Sequence, residues 1–221
     1  MFRLLCLAVG YAFGLFNTSI VVGKMTGVDI RKRGSGNTGT ANTLRTLGFK
    51  AGLVVLIGDM MKASVPMLVM LQIMKESMPD DLLLVAVYTG FGVVFGHNYP
   101  VYTGFKGGKG IAASFGVALV LDWRVTVIGF ALFIAVFLVR HYMSVGSMVA
   151  TTAVFAALLA EGLILRQVGN LPVQMHEKTE YCVFCILVPA LAIFRHRTNI
   201  VRLMKGEERQ THLHHDRNKA E

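Results

Sequence analysis

A polar segment rich in glycine lies between the first two apolar stretches of the chain, over residues 31–48. Its glycines allow backbone N–H groups to turn toward an anion, and its hydroxyl and amide side chains add neutral donors. Arg45 adds a planar guanidinium that matches the geometry of phosphate oxygens. The residues of this segment that we expect to bind an anionic group are Ser35, Gly36, Asn37, Thr38, Gly39, Thr40, Asn42, Thr43 and Arg45.

A second glycine-rich segment covers residues 96–110 and leads into a short apolar run. The free N–H groups at the start of a helix carry partial positive charge and favour an anion, and Lys109 adds a full charge beside them. A Walker A loop is excluded because Gly110 stands where that motif needs Ser or Thr to bind magnesium. The expected binding residues are His97, Asn98, Lys106, Gly107, Gly108, Lys109 and Gly110, although Lys106 also suits contact with lipid headgroups.

A third polar segment, residues 195–209, follows the last apolar run. On a helix, His196, Asn199 and Arg202 recur at steps of three and lie on roughly one face. An imidazole, an amide and a guanidinium together suit a hydroxylated, phosphorylated molecule. The alternative is an ordinary basic segment beside the membrane, which we favour for Arg195.

Polar residues also lie in or beside the apolar runs. Ser144 flanks a predicted turn next to Arg140, from which it can reach the same cleft. Asp59 and Lys62 lie more than two turns inside an apolar run, where a lone charge costs about 2.5–3.5 kcal/mol at the membrane centre. We therefore expect these two side chains to form a structural ion pair.

The composition indicates that membrane helices position these segments. Of the 221 residues, 54% are hydrophobic and only 16% are charged, and the mean hydropathy is +0.56. Soluble domains carry about 25% charged residues, so a soluble enzyme, a disordered chain and a disulfide scaffold are excluded. The net charge of +9 indicates anionic lipid or an anionic substrate. Nucleic acid is disfavoured because it needs a solvated basic surface.

Seven apolar runs predict an all-α, polytopic bundle of about seven transmembrane helices. The runs are residues 4–23, 51–74, 82–96, 110–121, 124–139, 144–165 and 181–194. The run at 110–121 is too short to cross a hydrocarbon core of ~30 Å, so we expect a short helix that begins at membrane depth. The first run has no convincing cleavage site and is expected to be a retained helix rather than a signal peptide.

The distribution of basic residues predicts the orientation. With seven crossings, 16 of the 22 Lys and Arg residues lie in loops on one face, which the positive-inside rule assigns to the cytoplasm. The N-terminus then lies outside and the C-terminus in the cytoplasm, whereas five crossings would divide these loops between the two faces. We expect residues 1–209 to form a single membrane-embedded domain and residues 210–221 a polar tail.

No metal site is expected. Cys182 and Cys185 form a C-x-x-C pair without the second ligand pair of a zinc site, and the three cysteines of the chain give no disulfide framework. The tail histidines, His212, His214 and His215, are expected to be solvated.

Taken together, the three polar segments resemble the bacterial acyl-phosphate:glycerol-3-phosphate acyltransferase family. Its first motif, S-G-N-x-G-x-x-N-x-x-R, is matched by Ser35, Gly36, Asn37, Gly39, Asn42 and Arg45. Its second, G-H-N followed by F-x-G-G-K-G, is matched by Gly96, His97, Asn98, Phe105, Gly107, Gly108, Lys109 and Gly110. Its third, H-x-x-N-I-x-R-L-x-x-G-x-E, is matched by His196, Asn199, Ile200, Arg202, Leu203, Gly206 and Glu208.

The resemblance implies an enzyme of the bacterial inner membrane with its active site on the cytoplasmic face. Such an enzyme moves a fatty acyl group from acyl phosphate to the 1-hydroxyl of glycerol 3-phosphate. The products are lysophosphatidic acid and phosphate, at the first committed step of phospholipid synthesis. The implied partners are these substrates, membrane lipid and the soluble enzyme that produces acyl phosphate, with no cofactor and no nucleic acid.

The resemblance also suggests roles for the polar residues. Residues 36–43 and the helix start at Gly110 would cradle the acyl-phosphate group, and Ser35 would donate to a phosphate or to the developing oxyanion. Glycerol 3-phosphate would be held by Arg45, Lys109, His196 and Asn199, which with Ser35 form the expected catalytic set. The proton acceptor stays open between His97, His196 and the leaving phosphate.

Two other functions fit parts of this pattern. A transporter or channel for an organic phosphate would also use glycine-rich loops and a half-length helix, but no internal repeat is evident. An acyl-CoA-dependent acyltransferase often carries H-x-x-x-x-D, whereas the residue five past His97 is Tyr102 and the residue five past His196 is Val201. The sequence therefore favours the acyl-phosphate-dependent enzyme.

Overall fold

The computed structural model describes residues 1–211. Within that range the helices are α1 Phe2–Gly14, α2 Thr18–Met25, α3 Thr40–Leu47, α4 Phe49–Met74, α5 Leu82–Asn98, α6 Ile111–Leu121, α7 Trp123–Arg140, α8 Met143–Ile164, α9 Lys178–Arg195 and α10 Arg197–Met204. Short 3₁₀ turns lie at Ile30–Lys32, Pro79–Asp81 and Val101–Thr103. A two-stranded antiparallel hairpin, β1 Gln167–Val168 and β2 Leu171–Pro172, pairs Val168 with Leu171. Of the predicted tail, residues 210–221, the structure describes Gln210 and Thr211, and the three histidines lie outside the described residues.

The helices confirm a multi-pass membrane architecture. In the described part of the chain, five stretches are long and apolar enough to cross a membrane, namely Phe2–Met25, Phe49–Met74, Pro79–Thr103, Trp123–Arg140 and Met143–Ile164. The pair α9 and α10, bent by 56°, would make a sixth. Helix α6 has 11 residues and is therefore about 16 Å long at 1.5 Å per residue. This length confirms the predicted short helix.

The first apolar run, predicted as one helix over 4–23, is interrupted after α1. The cause is Asn17, whose side chain accepts a hydrogen bond from the Ile20 N–H at 3.1 Å and so starts α2. Asparagine at this position satisfies one of the free N–H groups of a helix start. The interruption places Asn17 and Thr18 against the polar side chains Thr38 and Asp59.

Helices α1 and α5 pack closely through glycine, as the small-residue spacing of these runs predicts. A Cβ atom at Gly10 would lie 2.1 Å from the Thr89 carbonyl oxygen, and one at Gly92 would lie 2.5 Å from the Leu7 carbonyl oxygen. The backbones therefore leave no room for a side chain at either position. This contact fixes the end of α5, and with it the second glycine-rich segment.

The core lies around α5, which packs against α1, α4, α6 and α9. The fully buried large side chains include Leu83, Leu84, Leu121, Phe155, Leu158 and Tyr181. The ends of the helices opposite the three polar segments are joined by ionic contacts. Arg3 donates two hydrogen bonds of 2.7 Å to the Glu180 carboxylate, to which Tyr88 also donates. These contacts hold α1, α5 and α9 together far from the polar segments.

We predict that Gly10→Val destabilises the protein by at least ~1–3 kcal/mol, because the added side chain forces α1 away from α5. The measurement is thermal unfolding in detergent. Ala8→Val is the matched control, since Ala8 lies on the exposed side of the same helix. Equal unfolding temperatures for the two variants would contradict this packing.

Candidate active site

The side chain of Asn42 holds the first glycine-rich loop together by hydrogen bonds. Its Oδ1 accepts the Ser35 N–H at 2.8 Å, and its Nδ2 donates to the carbonyl oxygens of Ile30 and Arg33 at 3.1 Å each. The side chain is only 2% exposed. The structure therefore places Asn42 beneath the loop as its support, rather than on the face open to an anion.

The remaining polar residues of this loop divide into supporting and available groups. Thr38 accepts a hydrogen bond of 3.0 Å from Asn17 Nδ2, and Thr43 Oγ1 donates to the Gly39 carbonyl oxygen at 3.1 Å. Ser35 lies exposed at the edge of the loop. Thr40 Oγ1 is buried with no hydrogen-bond partner among residues 1–211.

Two further residues shape this loop. Gly36 has φ of +71°, a left-handed conformation that glycine adopts without strain. The Asn37 N–H lies 3.4 Å from Ser35 Oγ. Since Thr40 Oγ1 lacks a partner and Ser35 is exposed, the loop presents both hydroxyls as possible donors to a ligand.

The second glycine-rich loop folds back onto the end of α5. The N–H groups of Gly107 and Gly108 donate to the carbonyl oxygens of Asn98 and His97 at 3.2 and 3.1 Å. A Cβ atom at Gly108 would lie 2.0 Å from His97 Nε2, and one at Gly107 would lie 2.1 Å from the His97 carbonyl oxygen. The backbone of this loop is therefore held against the imidazole, while the neighbouring Lys106 is exposed.

Asn98 is a fully buried amide next to the start of α6. Both Asn98 Oδ1 and Nδ2 lack a hydrogen-bond partner within the described range. Gly110, at φ of +79°, begins α6 without a side-chain cap, and a Cβ atom there would lie 2.8 Å from Asn98 Oδ1. Because a buried unpaired amide costs about 1–3 kcal/mol, the Asn98 Nδ2–H group beside this helix N-terminus is suited to donate to an anion.

The second and third polar segments meet at Lys109. The Lys109 ammonium donates to Asn199 Oδ1, and Asn199 Nδ2 donates to Glu208 Oε1 at 2.6 Å. Ser144 Oγ donates to the same Glu208 oxygen at 2.8 Å, and Arg202 Nε donates to Glu208 Oε2 at 2.9 Å. Residues that are far apart in sequence are thus gathered around one carboxylate.

Two residues of the site, Glu208 and Arg195, were not predicted to belong to it from the sequence. Glu208 matches the third family motif but was not among the expected site residues. Arg195, interpreted as an ordinary basic residue, donates to the carbonyl oxygens of Gly108 and Gly107 at 3.1 and 2.9 Å. Its guanidinium also lies 5.0 Å from the centre of the Tyr99 ring, so it braces the second loop.

Arg45 of the first segment contacts the start of the predicted tail. Arg45 Nε donates to Thr211 Oγ1 at 2.7 Å, and the Thr211 N–H donates to the His141 carbonyl oxygen at 2.9 Å. His196, only 2% exposed, has Nδ1 2.7 Å from the Ala192 carbonyl oxygen. Since a carbonyl only accepts, we assign the proton to Nδ1, which leaves a lone pair on Nε2.

The cleft carries an excess of positive charge. Burial lowers the pKa of Lys109 to about 8, with Glu208 opposing the shift and the neighbouring Arg202 adding to it. Burial also lowers the pKa of Arg45. Burial raises the pKa of the Glu208 carboxyl, but its hydrogen bonds from Arg202, Asn199 and Ser144 outweigh this effect and leave the pKa below its usual value. One carboxylate among several cations leaves the cleft able to accept a phosphate.

The predicted ion pair inside α4 is confirmed. Lys62 Nζ lies 3.0 Å from Asp59 Oδ1 with both side chains almost fully buried. The pair also reaches the site, because Lys62 Nζ is 2.6 Å from His97 Nδ1. Sequence spacing indicated the pair but not its contact with His97.

These features define a multi-pass membrane protein whose polar segments form one cationic cleft. The family model described as glycerol-3-phosphate acyltransferase matches residues 4–206, and the chain belongs to this family. Among curated relatives, the glycerol-3-phosphate acyltransferases of Alkaliphilus metalliredigens and Thermus thermophilus are each 36% identical to it. The alignments cover 95% of this chain and 96% of the first relative, and 92% of this chain and 92% of the second.

Solved structures agree with this assignment. The crystal structure of PlsY, an integral membrane glycerol 3-phosphate acyltransferase, in its glycerol 3-phosphate form is 34% identical, with a TM-score of 0.79 over 95% of this chain and 96% of that chain. The lysophosphatidic acid form of PlsY is 33% identical, with a TM-score of 0.78 over 96% of each chain. The protein is therefore an acyltransferase of phospholipid synthesis, which confirms the resemblance and disfavours the transporter alternative.

We predict that Glu208→Gln lowers kcat/KM for glycerol 3-phosphate by about tenfold or more. Hydrogen bonds to a charged group contribute about 1.5–3 kcal/mol, and loss of this charge releases Asn199 and Arg202 from their positions. Steady-state kinetics on purified protein measures the effect. Glu207→Gln is the control, because Glu207 is exposed beside it. Unchanged kinetics in Glu208→Gln would exclude this positioning role.

Proposed function

We propose that the enzyme transfers a fatty acyl group from acyl phosphate to the 1-hydroxyl of glycerol 3-phosphate. The products are 1-acyl-glycerol 3-phosphate and inorganic phosphate. The observation that carries the proposal is the Lys109–Asn199 contact, which joins the glycine-rich loop at α6 to the polar face of α10. Around it lie cations from three distant segments, as two phosphorylated substrates require.

The cleft is proposed to face the cytoplasm of a bacterial inner membrane. This orientation rests on the positive-inside rule, since most Lys and Arg residues lie in the loops that carry the site. It places the N-terminus outside and the C-terminus inside, with seven crossings if α6 and the bent α9–α10 pair are counted. The single acyltransferase domain is proposed to be residues 1–209.

Glycerol 3-phosphate is proposed to bind where Lys109, Asn199 and His196 converge, with Arg45 beside them. Arg202 and Ser144 hold the Glu208 carboxylate at the edge of this subsite and are the nearest further donors. Two phosphate charges 4 Å apart repel by about 1 kcal/mol even in water, and by more in a cleft of lower dielectric. The excess of cations offsets this repulsion.

The acyl-phosphate group is proposed to bind between the two glycine-rich loops. The buried Asn98 amide and the start of α6 at Gly110 supply unpaired donors on one side, and the hydroxyls of Thr40 and Ser35 supply donors on the other. Lys106, exposed beside the loop, is placed to contact the phosphate of an approaching donor. Ser35 is assigned to a phosphate oxygen or to the developing oxyanion.

In the proposed reaction the protein mainly aligns the two substrates, because the acyl donor is already activated. Acyl phosphate is an activated mixed anhydride, so the hydroxyl oxygen of glycerol 3-phosphate attacks the carbonyl carbon directly and the bond to the phosphate oxygen breaks. The hydroxyl proton passes to the departing phosphate, or to His196, whose Nε2 carries the available lone pair. This chemistry calls for no metal or coenzyme A, and the donor comes from a soluble enzyme that makes acyl phosphate.

The test is a donor comparison on purified protein in detergent with labelled glycerol 3-phosphate. We expect lysophosphatidic acid to form with palmitoyl phosphate and not with palmitoyl-CoA. Product formation only with the coenzyme A ester would refute the proposed donor. In liposomes, uptake of label without a lipid product would refute the acyl-transfer reaction itself.

We predict that kcat/KM for glycerol 3-phosphate falls as pH rises through about 8, where Lys109 loses its proton. The pH profile of kcat/KM reports groups of the free enzyme. Lys109→Arg should abolish this loss, because a guanidinium stays charged throughout the range. Lys109→Ala should lower kcat/KM about tenfold or more, since a hydrogen bond to a charged group contributes ~1.5–3 kcal/mol.

The control for both substitutions is Lys50→Ala, which removes an exposed charge outside the cleft and should keep wild-type kinetics. An identical alkaline limb in wild type and Lys109→Arg would exclude Lys109 as the titrating group.

A further inference from the structure

The ammonium group of Lys62 lies within hydrogen-bond distance of three acceptors. Its Nζ is 2.7 Å from the Phe16 carbonyl oxygen, 3.0 Å from Asp59 Oδ1 and 2.6 Å from His97 Nδ1. The Lys62 side chain is only 4% exposed. An ammonium has three N–H groups and no lone pair, so Lys62 can only donate to these three groups.

These contacts determine which nitrogen of His97 carries a proton. Because Lys62 only donates, Nδ1 of His97 accepts, and the proton of the neutral imidazole lies on Nε2. A second proton on Nδ1 would place two positive groups 2.6 Å apart in a buried site, which is strongly unfavourable. Asp59 Oδ2, at 4.0 Å from Nδ1, is too far to take that proton in a hydrogen bond.

The protonated nitrogen lies against the second glycine-rich loop. A Cβ atom at Gly108 would lie 2.0 Å from His97 Nε2, so the edge of the ring occupies the space beneath this residue. The Gly108 N–H donates to the His97 carbonyl oxygen at 3.1 Å, which fixes the loop to the same residue. The Nε2–H group therefore faces the backbone that carries Lys109.

Asp59 completes the arrangement, because its carboxylate at 3.0 Å from Lys62 Nζ favours the charged form of Lys62. Thr18 Oγ1 donates to Asp59 Oδ1 at 2.9 Å, which ties the pair to the start of α2. His196 has the opposite arrangement, since its Nδ1 lies against a carbonyl oxygen, which only accepts. Nε2 of His97 is thus a donor, whereas Nε2 of His196 is an acceptor.

We propose that Lys62 is a positioning residue, which holds His97 as the neutral Nε2–H tautomer beneath the second glycine-rich loop, the one proposed to bind phosphate, so that His97 cannot act as the base. The role in phosphate binding rests on the proposed function. The tautomer does not, because it follows from the contacts of Lys62 alone.

The direct test is nitrogen NMR of protein labelled with ¹⁵N-histidine in detergent or lipid. In the wild type we expect the His97 signals of an unprotonated Nδ1 and a protonated Nε2 from about pH 6 to about pH 9, a range in which an ordinary imidazole titrates. The spectrum of a His97→Asn variant assigns the signals. A proton on Nδ1 of His97 anywhere in this range would overturn the proposal.

The second test removes the ion pair as a unit. Lys62→Met alone leaves Asp59 charged and buried without its partner, which threatens folding, whereas Asp59→Asn with Lys62→Met removes both charges. In this double variant we expect His97 to lose its fixed tautomer and kcat/KM to fall by about tenfold, as for outer partners of ligating histidines. Lys75→Met is the control, because Lys75 is exposed beyond the end of the same helix.

The outcomes separate a positioning role from a structural one. A folded double variant with a wild-type His97 spectrum and wild-type kcat/KM would refute the proposal. If the double variant does not fold, the wild-type spectrum still decides the tautomer. If acyl phosphate is not the donor, the proposed function fails while the tautomer result stands, and the kinetic arm is run with the donor that supports turnover.

Discussion

The carboxylate of Glu208 is the interaction on which the cationic cleft depends. Lys109 and Arg202 both lie in a partly buried site, where like charges repel more strongly than in water. Glu208 accepts from Arg202 and from Asn199, which in turn accepts from Lys109. A single negative charge therefore connects the two cations, while the site as a whole stays positive enough to accept a phosphorylated ligand.

A similar compensation occurs inside the membrane helices. Lys62 is tolerated within α4 because its ammonium lies against two hydrogen-bond acceptors and pairs with the Asp59 carboxylate. The cost of burying that charge is offset by contacts that also order the end of α5. Stability and site geometry are thus supplied by the same side chains, so substitutions that alter only one of them will be uncommon here.

Much of the fold could be predicted from apolar length and charge. The short α6, the close packing of α1 on α5 and the Asp59–Lys62 pair all follow from local spacing. The break before α2 was missed, although Asn17 is a good helix cap, because the apolar run continues past it. The contacts of Arg195 with the second loop and of Lys62 with His97 were not predictable, since they depend on how helices rotate against each other.

The site shows the same division between local and long-range information. The three polar segments are visible in the sequence because glycine, amide and basic residues cluster there. Which of these residues support the loop and which remain available to a ligand is not visible, because it depends on the direction in which side chains such as Asn42 and Ser35 point after folding. Glu208 carried a motif signal, but its charge argued against a phosphate site until its partners were known.

The length of α6 determines how deep the reaction takes place. Helix α6 has 11 residues and α7 has 18, and the two are joined at Asp122 by a tight turn. If the two helices run antiparallel, α6 falls short of the far end of α7 by about 10 Å at 1.5 Å per residue. The helix start at Gly110 then lies within the length of α7 rather than at its end. For the proposed reaction, this geometry would let the fatty donor react within its own leaflet, and the water-soluble acceptor would enter from the aqueous side.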